Sequence, residues 1–394
     1  MRENNTTNET VWINYLRSFI TFLVVAHHAA LAYTTWASFD EKVYIRSTHA
    51  IVDTQRWIGF DALVYFNDIF FMSLMFLISG LFLTKSIGKK GVGTFIKDRY
   101  NRLFIPFLLG GTAFMLLAYF PSYYLTQGDT SITRYVVNFF TIQKWPVGPP
   151  WFIWVLFLFN FIFGVSFPLA GKWYKRSGEL LSLLKDKPGK LFIIWFSFTW
   201  LTYAPLSYIV GRGTWTGIGP FDFQLNRILL YFSYFIFGVM IGNSDFNNTI
   251  FSAKYKIVQK WWLWDILSLI AFALLTIVTI QLPQLCIQYK VNTIYSEMVY
   301  YLFFVSSCTL SCIAFITSFK MLTHSAKPLW NSFSNNAYMI YLVHFTFVTW
   351  CQFLLLEQNV PVQLKFIITL VVSVLGSWIL SIVIRKNEMI KKYL

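Results

Sequence analysis

The chain is predicted to be all-α, a polytopic integral membrane protein of about ten transmembrane helices with both termini cytoplasmic. Three observations predict this. Of its 394 residues 56% are hydrophobic and only 12% are charged, where soluble domains carry about 25% charged residues. The apolar residues gather into runs of about 20, the length that crosses a bilayer as a helix. The 32 Lys and Arg residues, source of a net charge of +15, lie between those runs or, for Lys365, at the edge of one, except for Arg17 and Arg227. In a soluble protein that charge would suggest nucleic acid. Here no basic stretch is long enough for such a site, and the charge sets topology and meets anionic lipid headgroups.

The apolar segments are 12–33, 61–84, 103–125, 149–169, 191–210, 225–243, 262–282, 296–319, 330–356 and 361–384. Alternate connections hold 22 and 8 basic residues, with Arg17 and Arg227 completing the 32. The richer set is inside, which makes both termini cytoplasmic. Residues 1–11 form a polar N-terminus without a cleavage site, so the first helix reads as a retained signal anchor. Residues 385–394 form a basic cytoplasmic tail.

The first segment carries Arg17, His27 and His28, which cost several kcal/mol each in hydrocarbon unless they face protein or water. Arg17 and His28 are eleven positions apart, close to three full turns, so they share a face roughly 16 Å apart along the axis. A lone Arg would read as snorkelling and a lone His as a packed core imidazole. The aligned pair favours a functional reading. Depths follow from about 1.5 Å per residue: His28 lies roughly 24 Å into a core about 30 Å thick, and His344 roughly 21 Å. Asp68, on the inward-running second segment, reaches a similar level, so three titratable groups cluster in the outer half while Arg17 stays low.

The connection from Lys85 to Arg102 is the most basic in the chain and holds Gly88, Gly91 and Gly93. It satisfies the positive-inside rule, and it also suits the phosphates of a small polyanion such as coenzyme A, although it lacks a P-loop ending. The fourth segment opens as KWPVGPPWFIW, where Pro146, Pro149 and Pro150 break any helix and Trp151 and Trp154 follow one turn apart. This is either an interfacial aromatic belt or a rigid, sugar-stacking lip at an outer mouth. The loop 211–222 has the same character and carries Trp215. The four cysteines have no metal-site spacing; Cys308 and Cys312, one turn apart, read as small core residues, and no metal is expected.

These residues resemble the membrane-bound acyltransferase-3 family, and within it the branch of the glucan biosynthesis (glucan succinyltransferase) proteins. Arg17 and His28 match its Arg, ten residues, His pattern. FFMSLMFLISGLF resembles the second-helix motif ending in Ser79 and Gly80, and DRYNRLFIPF the basic motif with Arg99, Arg102 and Pro106. GPPWFIWVLFLF resembles the start of the fourth helix, and NNAYMIYLVHF the ninth, with Tyr341 and His344. FNDIFF departs from the family's Gly-Val-Asp lead, which weakens the match at Asp68. The resemblance implies a single acyltransferase domain over 1–394, without an appended hydrolase-like domain.

It further implies a cell-membrane acyltransferase that moves an acetyl or succinyl group from cytoplasmic acyl-CoA to a hydroxyl of an extracytoplasmic carbohydrate. His28 is the candidate base, Asp68 (or Asp61) its orienting partner, and His344 a second proton-transfer or acceptor-binding residue. Arg17, Arg99 and Arg102 would hold the donor's phosphates or position the thioester, and Trp151, Trp154 and Tyr341 would hold the acceptor. Direct transfer and an acyl-histidine intermediate are both open. Expected partners are acyl-CoA, a glycan or other hydroxyl acceptor and the bilayer, with a homo-oligomer left open. A proton-coupled transporter is the rival class, disfavoured by few embedded charges in helices five to eight beyond Arg227, Asp265 and Glu297 and by the absence of an inverted repeat. A third reading is a non-catalytic partner of glycan export.

Overall fold

A computed structural model describes residues 10–323 and 325–388. The expected polar N-terminus up to residue 9 and the last six residues of the basic tail lie outside these. The described chain runs α1 (Val11–Leu31), α2 (Ile58–Gly80), α3 (Leu83–Lys90), α4 (Val92–Arg99), α5 (Thr112–Gln127), α6 (Ile132–Phe140) and α7 (Trp151–Ser182). It continues with α8 (Pro188–Val210), α9 (Ile228–Gly242), the single turn α10 (Lys256–Gln259), α11 (Trp261–Gln288), α12 (Thr293–Leu322), α13 (Pro328–Leu355) and α14 (Val362–Ile384). A two-stranded antiparallel ribbon, Trp215–Thr216 against Phe223–Gln224, closes the α8–α9 loop.

Nine helices among the described residues are long and apolar enough to cross a membrane, one fewer than the ten segments of the sequence. The difference is α1. At 21 residues it has the length, but Asn14, Arg17, Ser18, Thr21, His27 and His28 dilute its apolarity. Its hydroxyls are satisfied within the helix: Ser18 donates to the Asn14 carbonyl (2.7 Å) and Thr21 to that of Arg17 (3.1 Å). It packs on α2 and α13, so most of its polar side chains face protein, the exposed Arg17 excepted.

Two connections differ from expectation. The basic stretch 85–102 is helical, α3 and α4 meeting at Gly91, whose φ of 75° favours glycine. Lys90 and Asp98 pair across that corner at 2.5 Å. From there the chain enters the membrane through π-helical turns at Tyr100–Phe104 and Pro106–Gly111. Pro106 has no N–H to give the α-helical ladder, which is one origin of such turns. Helix α7 also continues past residue 169 to Ser182, so Lys172, Lys175 and Arg176 project from a helix.

The most apolar stretch of α9 is 78% buried, against 22% for α11 and for α14, so α9 is central and the other two face lipid. Helix α2 lies against α9 through glycines. A Cβ on Gly238 would come within 2.1 Å of the Leu77 carbonyl oxygen, and one on Gly242 within 2.0 Å of that of Leu81. Gly238 and Gly242 form the small-xxx-small pattern that lets membrane helices approach closely. Gly238→Val is therefore expected to separate the two helices and cost about 1–3 kcal/mol or more. A thermal melt of purified protein reads this, and an unchanged midpoint would contradict the packing described.

Candidate active site

At one end of the bundle the α1–α2, α6–α7 and α8–α9 loops surround a cavity of about 670 Å³. Its floor is helical. The last turn of α1 contributes His27 and His28, α2 contributes Asp68 and Phe71, and α13 contributes Tyr341 and Phe345. Being adjacent on a helix, the two histidines diverge by about 100°. His27 turns to α2, its ring 5.1 Å from that of Phe71, and His28 turns to α13.

His28 is half-buried, and its ring centroid lies 5.4 Å from that of His344 and 6.0 Å from that of His49. His344 is fully buried behind it. The Nδ1 of His344 lies 2.7 Å from the Tyr341 carbonyl oxygen, which accepts its proton and leaves Nε2 as a bare acceptor. Among the described residues that Nε2 and the Nδ1 of His28 have no partner. Two neighbouring imidazoles thus keep unused nitrogens in the interior, where an orphaned polar atom costs about 1–3 kcal/mol.

His49, which sequence reasoning did not single out, comes from the α1–α2 loop. Gln352 of α13 donates to the His28 and Ala29 carbonyls, both at 3.2 Å. Its Oε1 must then accept, so the His49 Nε2 at 2.9 Å carries the proton. Burial pushes the His49 imidazole down to about 3 from an ordinary 6.5, against the opposing bond to Gln352. The folded form therefore resists protonation while the unfolded chain accepts it, so stability is full above about pH 6.5 and falls as pH drops toward 3. His49→Asn should flatten that acid limb in thermal melts recorded across this range. An unaltered limb would show that His49 does not carry it.

Asp68 is placed differently from expectation. It pairs with Arg227 at 2.7 Å, and Arg227 also donates to the Asp68 carbonyl at 2.9 Å. Arg227 is 8% exposed and lies over the Phe304 ring at 4.9 Å. A cation at that depth requires a counter-ion, and Asp68 is it. Both of these contacts of Asp68 are with Arg227, and among the described residues no hydrogen bond joins its carboxylate to His28. Asp61 is occupied too, accepting from the Thr35 amide (2.8 Å) and hydroxyl (2.5 Å) where the chain leaves α1.

The aromatic lip divides. Trp151 lines the cavity, 5.6 Å edge-on to Trp215 and 5.8 Å from Tyr231. Trp154 does not line it. Its indole donates to the Asp222 carbonyl (3.0 Å) and packs on Phe221 and Phe223, fastening α7 to the ribbon. Tyr341 donates to the Pro149 carbonyl and so ties the proline lip to α13 beside His344.

Arg17, Arg99 and Arg102 lie outside this cavity. Arg17 is exposed between buried Leu16 and Ser18, and its guanidinium has no hydrogen-bond partner among the described residues. Because α1 is unbroken, it lies about 16 Å below His28. Arg99 stacks on Phe95 at 5.1 Å with its Nε unpartnered, and Arg102 is exposed, its carbonyl accepting from Tyr338. Among the described residues no group of three or more His, Cys, Asp or Glu is arranged to hold a metal ion.

A family model for an acyltransferase domain, acyltransferase-3, matches residues 10–382. The chain belongs to the acyltransferase-3 family. No curated protein and no solved structure gives a significant match. Membership over nearly the whole described chain makes this a membrane acyltransferase, and the transporter and scaffold readings give way to it. His49 and Gln352 escaped the sequence reading, and Arg227 entered it only as an embedded charge without a role in the site. His49 was hidden by its place in a polar loop, and Gln352 by being one amide in an apolar helix; for Arg227, a cation embedded in an apolar run was the available signal.

Proposed function

We propose that this acyltransferase-3 protein transfers an acetyl or succinyl group from acyl-CoA on the cytoplasmic side to a hydroxyl of an extracytoplasmic carbohydrate. In this reading α1 is a tenth span, both termini are cytoplasmic, the cavity opens outward, and the bilayer is the cell membrane. One observation carries it: a single unbroken helix holds an unpaired arginine near one end and a cavity-facing imidazole about 16 Å away at the other. Coenzyme A separates its phosphates from its thioester by an extended arm, and such a helix suits both ends.

His28 takes the hydroxyl proton as the oxygen attacks the thioester carbonyl. The new C–O bond forms, the C–S bond breaks, and the proton passes to the departing thiolate. The group that steadies the imidazolium is His344. With Nδ1 committed to the Tyr341 carbonyl, its Nε2 can accept the His28 Nδ1–H after a small rotation of either ring. This replaces the carboxylate of a conventional triad by a neutral imidazole. Arg17, Arg99 and Arg102 hold the donor's phosphates, and the unpartnered Nε of Arg99 supports that role. Trp151 with Trp215 offers ring faces to a sugar, while Trp154 and Tyr341 hold the lip in place.

The test uses protein in nanodiscs with labelled acetyl-CoA and succinyl-CoA and a set of neutral and acidic oligosaccharides. Acceptor-dependent release of coenzyme A, with the label found on sugar, is the expected result. For Arg17→Ala the donor KM should rise by about tenfold or more, since a charge-assisted bond is worth about 1.5–3 kcal/mol. Release of coenzyme A indifferent to every acceptor would contradict the reading.

A further inference from the structure

The wall of the cavity above His28 carries hydrogen-bond donors without matching acceptors. The short 3₁₀ turn Tyr44–Arg46 of the α1–α2 loop meets the Gln143–Trp145 segment of the α6–α7 loop, and the Ile45 amide donates to Gln143 Oε1 at 3.1 Å. That bond fixes the amide's orientation, so Gln143 presents its NH₂. Gln143 is 1% exposed, lines the cavity, and its Nε2 has no partner among the described residues. Tyr44, also 1% exposed, lines the same cavity with its hydroxyl unpartnered. Burial raises the Tyr44 phenol well above its ordinary value, so it stays a donor.

Beside them are two full charges. Arg46 and Lys144 are exposed, line the cavity, and form no ion pair among the described residues. Arg46 is within electrostatic reach of Asp40, whose carboxylate is taken by the Lys42 and Val43 amides. Of the cavity's own carboxylates, Asp68 is neutralised by Arg227, and Asp222 stands on the ribbon side.

The backbone adds a second sign. Lys144 and Trp145 adopt φ of 56° and 58°, a left-handed conformation uncommon for side chains other than Asn, Asp or Gly. The turn is held by the Trp145 amide on the Phe139 carbonyl (2.9 Å) and the Trp145 indole on the Thr112 hydroxyl (3.1 Å). Its effect is to present Lys144 to the cavity.

We infer that Arg46, Lys144, Gln143 and Tyr44 form a subsite for an anionic group of the acceptor, a carboxylate or phosphate on the molecule whose hydroxyl is acylated at His28. Donors alone recognise an acceptor-only ligand, and carboxylate and phosphate oxygens are such ligands. A neutral sugar could accept from Gln143 and Tyr44 through its hydroxyl oxygens, but it would leave the two cations without a counter-charge. The inference rests on the acyl-transfer reading for the purpose of the ligand, though the subsite can be measured without it.

Trp145, Trp151 and Trp215 line the cavity, so ligand entry changes the intrinsic fluorescence. The full-length protein in nanodiscs, without acyl donor, is titrated with a trisaccharide containing glucuronate and with its neutral glucose counterpart. The acidic sugar should bind about tenfold or more tightly, an advantage erased in Arg46→Gln/Lys144→Asn and weakened by salt. Both positions are exposed and unpaired, and asparagine tolerates the left-handed conformation, so this variant should fold. The charge-preserving Arg46→Lys/Lys144→Arg should retain most of the preference.

Equal binding of the two sugars, no binding of either, or an unchanged preference in the neutralised variant would overturn the subsite. So would a turnover defect that follows the free carboxylate of the succinyl donor rather than the charge of the acceptor. Preference for the acidic sugar without any acyl transfer would support the subsite and sink the acyl-transfer reading. Equal transfer to acidic and neutral sugars would do the reverse.

Discussion

His28→Ala is expected to lower acyl transfer by about 10²–10⁴-fold while the protein assembles normally. The size of the effect is that of a general base removed from a reaction whose nucleophile is a neutral hydroxyl. The structure separates this loss from misfolding. The His28 ring is half-buried, faces a cavity and makes no side-chain hydrogen bond within the described chain, so its removal leaves no broken pair. The bonds that hold this turn of α1 run from Gln352 to the His28 and Ala29 carbonyls and survive the substitution. Transfer rate and a size-exclusion profile, read on the same preparation, check the prediction. A loss below tenfold in a well-assembled variant would remove His28 from the chemistry.

Lys365→Ala is expected to be the most damaging single change outside the site, at about 3–5 kcal/mol of stability. Lys365 lies in the first turn of α14 and is 1% exposed, and its ammonium meets Asp53, 2% exposed, at 2.7 Å. It also donates to the Leu356 carbonyl at 3.2 Å, while Asp53 accepts from the Gln55 amide at 2.9 Å. The pair joins α14 to the loop that carries His49, so the truncation leaves a charge buried and frees that loop. Replacing both residues, as Asp53→Leu with Lys365→Met, should recover much of the loss, because the cost comes from the orphaned charge. Thermal melts of the two variants decide this. A double variant no better than the single one would show that the pair itself supplies the stability.

The helices were legible because lipid imposes a length and a composition on any span, and segments 191–210 and 361–384 fall within a few residues of α8 and α14. The far end of α7 was not, since residues 170–182 are polar and membrane hydropathy carries no signal for a helix that continues into water. The proximity of His28 and His344 followed from depth alone. Two residues on different helices at one level in a narrow bundle have few places to be. The partner of Asp68 did not follow, because Arg227 is 159 positions away and depth cannot say which of several neighbours faces a carboxylate. The two lip tryptophans carried identical local signals. What divides them is the ribbon, whose Asp222 carbonyl claims the indole of Trp154 and leaves Trp151 to the cavity. The anion subsite is likewise invisible in sequence, being assembled from two loops joined by one amide contact.

In the proposed reaction one acyl group crosses from a donor on one face to an acceptor on the other. The direct measurement uses sealed proteoliposomes of fixed orientation, with labelled acyl-CoA supplied to the face bearing Arg17 and an impermeant acidic oligosaccharide confined to the opposite side. The expected result is labelled sugar in the acceptor compartment, released coenzyme A in the donor compartment, and neither with His28→Ala. Labelled sugar formed only when donor and acceptor share a compartment would contradict it.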